Sequence, residues 1–277
     1  MTPDATRILM CPPDFFEVDY EINPWMDGHS GSLDRALAGE QWTRLRDGIA
    51  ECADVVLLEP RRGLPDLVFT ANAGFVYGTR AVPSHFMPHE RRPEEPYLRA
   101  WFEEHGYDVR VLPDDVAFEG AGDALIDRHG AWLWAGYGFR TELVAHDYLR
   151  DWFDLEVVSI RLVDPRFYHI DTCLCPLDGG FLLYHPPAFD SASRDEIERR
   201  VPAERRIPVS MENAGHFACN AVNVGRRIFM NRTGAPLVAA LEERGFEVTQ
   251  LGLSEFLKAG GSAKCLTLKL TEPRRNS

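Results

Sequence analysis

Residues 221–253 read AVNVGRRIFMNRTGAPLVAALEERGFEVTQLGL and contain the repeating unit of this sequence. Two short apolar runs flank Gly225, a pattern typical of a β-hairpin with glycine in its turn. Residues 235–245 have apolar side chains at helical spacing, and the run after them, FEVTQLGL, favours a β-strand. The stretch therefore predicts a hairpin, a helix and a third strand in succession.

The same succession recurs along the chain. Helical patterns cover residues 33–51, 96–106, 141–154, 191–201 and 235–245, and a β-rich run follows each of them. Hairpin patterns lie between these units, with turn glycines Gly78, Gly130, Gly179 and Gly225 about fifty residues apart. The sequence thus predicts an α/β fold of five similar modules.

The two ends of the chain complement each other. The apolar run CLTLKL at 265–270 has no second strand after it, whereas RILMCPP at 7–13 could supply that strand. Pairing near Ile8 would close the five modules into a propeller-like ring. Alternating helices and strands also occur in a doubly wound sheet, so periodicity alone leaves that fold open. The recurring hairpins favour the ring, as one domain over residues 1–277.

Composition excludes several classes of protein. The chain has 277 residues, 45% of them hydrophobic, and a net charge of −13, which does not fit a disordered or collagenous chain. The acidic balance disfavours nucleic acid and anionic membranes as partners and suits a small cationic substrate. We expect no signal peptide and no membrane span. Six cysteines are too few for a secreted disulfide scaffold, so we also expect a cytoplasmic location. A homo-oligomer is compatible with this composition.

Polar and reactive residues occupy equivalent positions just before each hairpin. They are Asn72 in VFTAN, Glu119 in FEG, His169 and Asp171 in YHIDT, Cys219 and Asn220 in FACN, and Cys265 in GGSAKC. In a ring of repeats, equivalent positions converge on the central axis. A carboxylate, an imidazole and a thiol brought together there would suit a cysteine nucleophile with a histidine acid/base.

Each of these residues also has a structural interpretation. Cysteine is among the most buried residue types, and the other five cysteines keep that interpretation. Cys173 and Cys175 would form only half of a zinc site, because no second cysteine pair lies at suitable spacing. We therefore expect no metal and no cofactor. Cys265 differs because the preceding glycines allow a close backbone approach to a ligand, although a simple loop explains them equally well.

Five motifs in this order make the family recognisable. LPDLVFTANAG, FEGAGDALI, GYGFR, FYHIDTC and GGSAKC resemble the guanidino-group-modifying enzymes of the pentein superfamily, and the match covers essentially the whole chain. The segments MCPPDFFEVDYEINPWM and FLKAGGSAKCLTLKL resemble its arginine dihydrolase branch most closely. The resemblance implies a five-bladed α/β propeller that converts arginine to ornithine, ammonia and carbon dioxide.

The resemblance also implies roles for single residues. Cys265 would be the nucleophile and His169 the general acid/base, while Glu119 and Asp171 would hold the guanidinium and orient the histidine. Substrate-binding roles fall on Arg91 and Arg140 for the α-carboxylate, on Asp66 for the α-amino group, and on Asn23 in a loop over the site. Arg91 lies in HERRPEE, which is also what a solvated charge run looks like, and Arg92 is an adjacent competitor.

Asn72 departs from the wider family pattern, because deiminases and dimethylargininases carry aspartate there. A carboxylate only accepts hydrogen bonds, which suits guanidinium, whereas an amide offers both an acceptor and a donor. Asn72 could therefore hold a guanidinium and then the ureido group of citrulline, which favours a second hydrolysis. The alternatives are an arginine deiminase or dimethylargininase that stops at citrulline, an amidinotransferase, and a non-catalytic pentein that serves as a binding protein.

Overall fold

The computed structural model describes residues 6–271, which form five three-stranded sheets. The strands are β1 (Arg7–Met10), β2 (Asp54–Leu57), β3 (Gly74–Tyr77), β4 (Arg80–Pro83), β5 (Asp108–Val109), β6 (Ala124–Ile126), β7 (Trp132–Tyr137), β8 (Glu156–Arg161), β9 (Leu174–Leu177), β10 (Phe181–Tyr184), β11 (Arg206–Pro208), β12 (Val222–Val224), β13 (Arg227–Asn231), β14 (Glu247–Leu251) and β15 (Leu268–Thr271). The helices are α1 (Arg35–Ala50), α2 (Glu95–Glu104), α3 (Ala145–Phe153), α4 (Ser191–Arg200), α5 (Met211–Gly215), α6 (Ala235–Glu242) and α7 (Ser254–Leu257).

Every sheet has the same internal pattern. The first two strands pair antiparallel, as a hairpin in four of the five sheets, and the strand after the helix adds in parallel to the second one. In the stretch 221–253, for example, Val222 lies opposite Phe229 and Arg227 lies opposite Glu247. The fold is thus a five-bladed α/β propeller, as the module pattern predicts.

The fifth blade closes the ring with strands from both ends of the described chain. β1 pairs antiparallel with β15, with Ile8 opposite Lys269, and parallel with β2, with Ile8 also opposite Val55. The predicted pairing of the terminal strands is confirmed. It requires only the four residues of β1, whose last three are fully buried.

The helices begin at side chains that satisfy their free backbone donors. The Asp34 carboxylate accepts from the N–H of Leu37 at the start of α1, and Asp190 accepts from Ser193 at the start of α4. Proline opens the first turn of α2 and α6, where no intrahelical donor is lost. These starts position the apolar faces of the helices against the sheets.

Two local differences from the predicted elements have clear causes. Helix α3 begins four residues later than the pattern suggests, because the preceding segment contacts residues 117–119: the N–H of Glu142 donates to the Ala117 carbonyl, and the N–H of Glu119 donates to Thr141 Oγ1. Gly78, Gly179 and Gly225 have the positive φ expected of hairpin glycines, whereas Gly130 does not. In that longer connection the Asp127 carboxylate accepts from the N–H groups of His129 and Gly130 and shapes the loop.

Stability of the ring should depend on β1. Replacing the fully buried Leu9 with alanine leaves a cavity beside Leu268 in the closing blade, and such changes cost about 2–5 kcal/mol. We expect Leu9→Ala to lower the free energy of unfolding by that amount in urea titrations. Leu57→Ala is the matched control: Leu57 is 51% exposed, and its replacement should cost about 0.5 kcal/mol or less. Equal losses of unfolding free energy in the two variants would show that β1 does not stabilise the ring.

Candidate active site

The ring places several of the predicted site residues just before the first strands of the blades. Short 3₁₀ turns at Thr70–Ala73, Gly120–Gly122 and Ile170–Thr172 lead into β3, β6 and β9. Asn220 and Cys265 stand two and three residues before β12 and β15. Each blade therefore delivers polar side chains to the same end of the central axis, as predicted.

Cys265 is buried and contacts two of these neighbours. Its Sγ lies 3.6 and 3.8 Å from the Asp171 carboxylate oxygens and accepts a hydrogen bond from Asn220 Nδ2 at 3.0 Å. Burial, followed by the negative charge of Asp171, raises the pKa of the Cys265 thiol. Both effects favour the neutral thiol, so a positive charge placed beside Asp171 would favour the thiolate.

His169 is fixed by a buried carboxylate. His169 Nε2 lies 2.7 Å from Glu119 Oε2, and Arg140 Nη1 donates to the same oxygen at 3.0 Å. Burial would raise the pKa of Glu119, but Arg140 and His169 outweigh it and lower the pKa to about 2. Glu119 thus stays ionised and orients the imidazole through its side chain.

Asn72 is held on both sides by neighbouring groups. Its Oδ1 accepts from Arg91 Nη1 at 2.9 Å, and its Nδ2 donates to the Glu119 carbonyl at 3.0 Å. Arg91 in turn forms a fork with the Glu94 carboxylate, with contacts of 2.9 and 2.8 Å. Arg92 is exposed and donates to the Phe86 carbonyl, so Arg91 is the arginine that enters the site.

Asp66 and the loop around Asn23 complete the cavity. Asp66 Oδ2 accepts from the Tyr20 hydroxyl at 2.8 Å, while its Oδ1 is buried with no hydrogen-bond partner among residues 6–271. Asn23 Nδ2 donates to the Ala259 carbonyl, and Arg140 Nη2 donates to the Ile22 carbonyl. The loop thus covers the site while it contacts two of the other walls.

The glycines before Cys265 allow this close packing. A Cβ on Gly260, which has φ +79°, would lie 2.7 Å from Asn23 Oδ1 and 2.8 Å from the Tyr168 hydroxyl. A Cβ on Gly261 would lie 2.4 Å from the Phe69 ring. Both positions therefore require glycine for the approach of neighbouring groups.

Seven of the nine predicted residues line one cavity of about 290 Å³. They are Asn23, Asp66, Asn72, Arg91, Arg140, His169 and Cys265. Glu119 and Asp171 are fully buried behind this wall, where they contact His169 and Cys265. A second cavity of about 610 Å³, lined by Lys264 and Lys269, does not gather the carboxylate, imidazole and thiol and is not the candidate site.

Sequence reasoning missed three polar residues that support the site, Tyr20, Glu94 and Asp123, and placed a fourth, Asn220, near the central axis without a role. Tyr20 holds Asp66, Glu94 holds Arg91, Asn220 contacts Cys265, and Asp123 accepts from the N–H of Ile170 beside His169. Burial raises the pKa of Asp123 to about 6 and that of Glu94 to about 7. Arg91 and Glu94 are three residues apart, a spacing at which opposite charges often pair, and this spacing could have indicated their ion pair.

Two further observations concern metal ligands and membrane-spanning helices in the described part of the chain. Among residues 6–271, no group of three or more His, Cys, Asp or Glu side chains is arranged to hold a metal ion. None of the helices in that range combines the length and apolar character needed to cross a bilayer. The described groups themselves offer a thiol, an imidazole and several carboxylates and guanidinium groups.

Comparison with known proteins gives the family. A model described as "N,N dimethylarginine dimethylhydrolase, eukaryotic" matches residues 30–272. The N(G),N(G)-dimethylarginine dimethylaminohydrolase of Mycobacterium tuberculosis is 40% identical over 270 residues, which cover 97% of this chain and 87% of that protein. The chain belongs to the dimethylarginine dimethylhydrolase family.

Other relatives of this chain carry the name arginine dihydrolase. The bifunctional arginine dihydrolase/ornithine cyclodeaminase ArgZ of Synechocystis is 59% identical over 272 residues, which cover 98% of this chain and 38% of ArgZ. The chain thus spans well under half of that relative. The N-terminal domain of an asparagine-to-serine ArgZ variant, solved with a covalently bound reaction intermediate, has a TM-score of 0.96 and 58% identity and covers 97% of this chain and 98% of that one. The family member lies in the arginine dihydrolase branch of the pentein superfamily.

The Glu119 interactions predict how stability depends on pH. A carboxyl whose pKa falls from 4.5 to about 2 on folding stabilises the protein above pH 4.5, and this stabilisation is lost as the pH falls towards 2. The full effect corresponds to about 3 kcal/mol. We expect Glu119→Gln to lower the free energy of unfolding by that amount at pH 7 and by much less at pH 3, measured by urea titration.

The control for this measurement is Glu104→Gln. Glu104 is exposed at the end of α2, and its replacement should change stability by about 0.5 kcal/mol or less at both pH values. A destabilisation by Glu119→Gln that is the same at pH 7 and pH 3 would contradict the assignment of an ionised, paired Glu119.

Proposed function

We propose that this chain is an arginine dihydrolase that converts L-arginine to L-ornithine, ammonia and carbon dioxide. The observation that carries the proposal is the amide of Asn72 beside Arg91, in the same cavity as Cys265 and His169. The thiol and imidazole support guanidinium hydrolysis, and the amide supports continued reaction of citrulline. The names of ArgZ and of its solved domain support the same reaction class.

Substrate charge activates the nucleophile in this proposal. The guanidinium enters beside Asp171 and Cys265, and its positive charge offsets the carboxylate that raises the pKa of the thiol. Asp66 Oδ1 is an open acceptor for the α-amino group, and Arg91 and Arg140 line the cavity for the α-carboxylate. We assign Asn23 to the loop that closes over the bound substrate.

The first hydrolysis follows covalent thiol chemistry. The Cys265 thiolate attacks the guanidinium carbon, and His169, oriented by Glu119, protonates the departing ammonia. A thiouronium then links the substrate to Cys265. Neutral His169 takes a proton from water, which adds to the same carbon, and cleavage of the carbon–sulfur bond releases citrulline and restores the thiolate.

The second hydrolysis uses the same groups on the ureido carbon. The thiolate of Cys265 attacks, one nitrogen group leaves with a proton from His169, and water releases a carbamate that breaks down to carbon dioxide and an amine. Arginine and two waters thus yield ornithine, two ammonia molecules and carbon dioxide. The residues of this chain supply every group that these steps require.

The second candidate is a dimethylargininase that stops at citrulline. The family match and the relative from M. tuberculosis favour it. Incubation with arginine, methylated arginines, agmatine and citrulline, with all products identified, separates the two: a dihydrolase forms ornithine from both arginine and citrulline. Turnover of methylated arginines to citrulline alone would support the second candidate.

We further propose that residues 1–277 act as one catalytic domain in the cytoplasm, although residues 1–5 and 272–277 lie outside the described part. The net charge of −13 fits a small cationic substrate as partner and disfavours nucleic acid and anionic membranes. Sedimentation velocity will determine whether the chain self-associates.

Cys265→Ser tests the nucleophile. A serine hydroxyl is a far weaker acid than a thiol, so we expect turnover to fall by several orders of magnitude while the protein stays folded. Mass spectrometry of wild type quenched during turnover should show an adduct on Cys265. Cys52→Ser, which replaces a half-buried thiol at the end of α1, should retain wild-type turnover. Substantial activity in Cys265→Ser would reject the mechanism.

Asn72→Asp tests the extent of reaction. The substitution removes the donor to the Glu119 carbonyl and places a carboxylate where the ureido oxygen of citrulline needs a donor. Loss of such a donor costs about 1–3 kcal/mol, so citrulline should accumulate in place of ornithine. The measurement is the ratio of citrulline to ornithine, because the added anion also slows the reaction by raising the pKa of Cys265.

Asn231→Asp is the matched control for this ratio. Asn231 is equally buried, donates to the His216 carbonyl and accepts from the N–H of Leu253, and lies outside the cavity. It should leave the product ratio unchanged. If Asn72→Asp forms ornithine in the same proportion as wild type, Asn72 does not determine the extent of reaction.

A further inference from the structure

Asn220 is the site residue for which the mechanism above has no role. It is fully buried before β12, at the ring position where other blades present Asn72, Glu119 and His169. Its side-chain amide spans Cys265: Oδ1 accepts from the backbone N–H of Cys265 at 3.1 Å, and Nδ2 donates to Sγ at 3.0 Å. The same residue therefore contacts both ends of the cysteine.

A third contact fixes which way the amide points. Asn220 Nδ2 also donates to the Asp171 carbonyl at 3.0 Å. A flipped amide would set its oxygen against that carbonyl and its NH₂ group against the N–H of Cys265, losing both of these hydrogen bonds. The group that faces the sulfur is therefore an N–H donor.

Several charged groups surround the sulfur. The Asp171 carboxylate opposes ionisation of Cys265, while Lys264 favours it, and Tyr168 and His169 line the same cavity as the sulfur. After burial and Asp171, which raise the pKa of Cys265, the groups that lower it are a backbone hydrogen bond from Ser262, the charge of Lys264 and the side chain of Asn220. Among these side chains, Asn220 is the uncharged one with a direct hydrogen bond to Sγ.

We propose that Asn220 is a catalytic residue whose side-chain N–H stabilises the thiolate of Cys265. A hydrogen bond to an ionised acceptor is roughly twice as strong as one to a neutral acceptor, so this contact strengthens when the thiol loses its proton. The inference rests on the proposed function, in which Cys265 is the nucleophile. It adds a group that stabilises the thiolate once the thiol loses its proton.

Alkylation by iodoacetamide measures the thiolate without turnover. The thiolate of Cys265 forms a carbon–sulfur bond with the reagent and releases iodide, so the rate follows the ionised fraction. Peptide mass spectrometry assigns the label to Cys265 among the six cysteines. In Asn220→Ala we expect the midpoint of the pH–rate curve to rise by about one unit, and the rate at pH 7 to fall about tenfold.

Asn220→Asp gives a second, nearly isosteric test. The carboxylate can still accept from the N–H of Cys265, but it removes the donor and adds a charge beside Sγ, so the midpoint should rise further than in Asn220→Ala. For either variant, kcat for arginine should fall more than KM rises. Asn231→Asp, with a similarly buried amide outside the cavity, should keep the wild-type midpoint.

A purely structural role gives a different result. Loss of cysteine orientation alone would slow alkylation by the same factor at every pH, and an unmoved midpoint in the folded variants overturns the proposal. If neither variant folds, the Asn220 side-chain amide resonance of wild type decides: it should titrate with the alkylation midpoint, and a pH-independent resonance overturns the proposal. A chain that alkylates as expected but does not turn over arginine would refute the proposed function and leave the role of Asn220 intact.

Discussion

The pairing of β1 with both β15 and β2 is the constraint on which the positions in the site depend. β15 begins three residues after Cys265, so the backbone that carries the thiol is anchored by a strand from the other end of the chain. The loop closed by this pairing contains nearly the whole chain, and its closure must be offset by burial of strands such as β1. Precise placement of Cys265 is therefore a property of the complete ring.

Within the closed ring, buried ion pairs fix the geometry of the site. Arg140 pairs with Glu119, and Arg91 pairs with Glu94, with all four side chains almost fully buried. A whole buried pair adds little stability over well-packed apolar residues, because desolvation offsets the attraction between the charges, although removal of one partner alone is costly. Their value lies in geometry: each guanidinium has a fixed fork of donors, and its partner sets the direction in which the remaining donors point. The ion pairs thus pre-organise the cavity before substrate enters.

The sequence predicted the five-bladed fold better than it predicted the contacts within the site. Helical periodicity and hairpin glycines indicated the blades, since both follow from local chemistry that recurs about every fifty residues. Equivalent module positions then indicated Glu119, His169 and Cys265, whereas the roles of Asp66, Arg91 and Arg140 came from family resemblance. Glu94 and Tyr20 were not predicted, because their burial depends on elements distant in the chain. In ERRPEE, no local feature of the sequence distinguishes a charged residue in a buried ion pair from one exposed to solvent.

Charge balance explains why an amide at position 72 suits the proposed two-step reaction, in which the site holds first arginine and then citrulline. Asp66, Glu94, Glu119 and Asp171 are four carboxyl groups around the cavity, and Arg91 and Arg140 donate hydrogen bonds to two of them, Glu94 and Glu119. A guanidinium compensates this negative charge, but the ureido group of citrulline is neutral and compensates none of it. A fifth carboxylate at position 72 would therefore retain the first substrate and disfavour the second. Asn72 keeps the shape of aspartate without the added charge, and its contact with Arg91 leaves an oxygen and an NH₂ group in fixed directions. The capacity to continue past citrulline would thus follow from the removal of one negative charge rather than from any additional catalytic group.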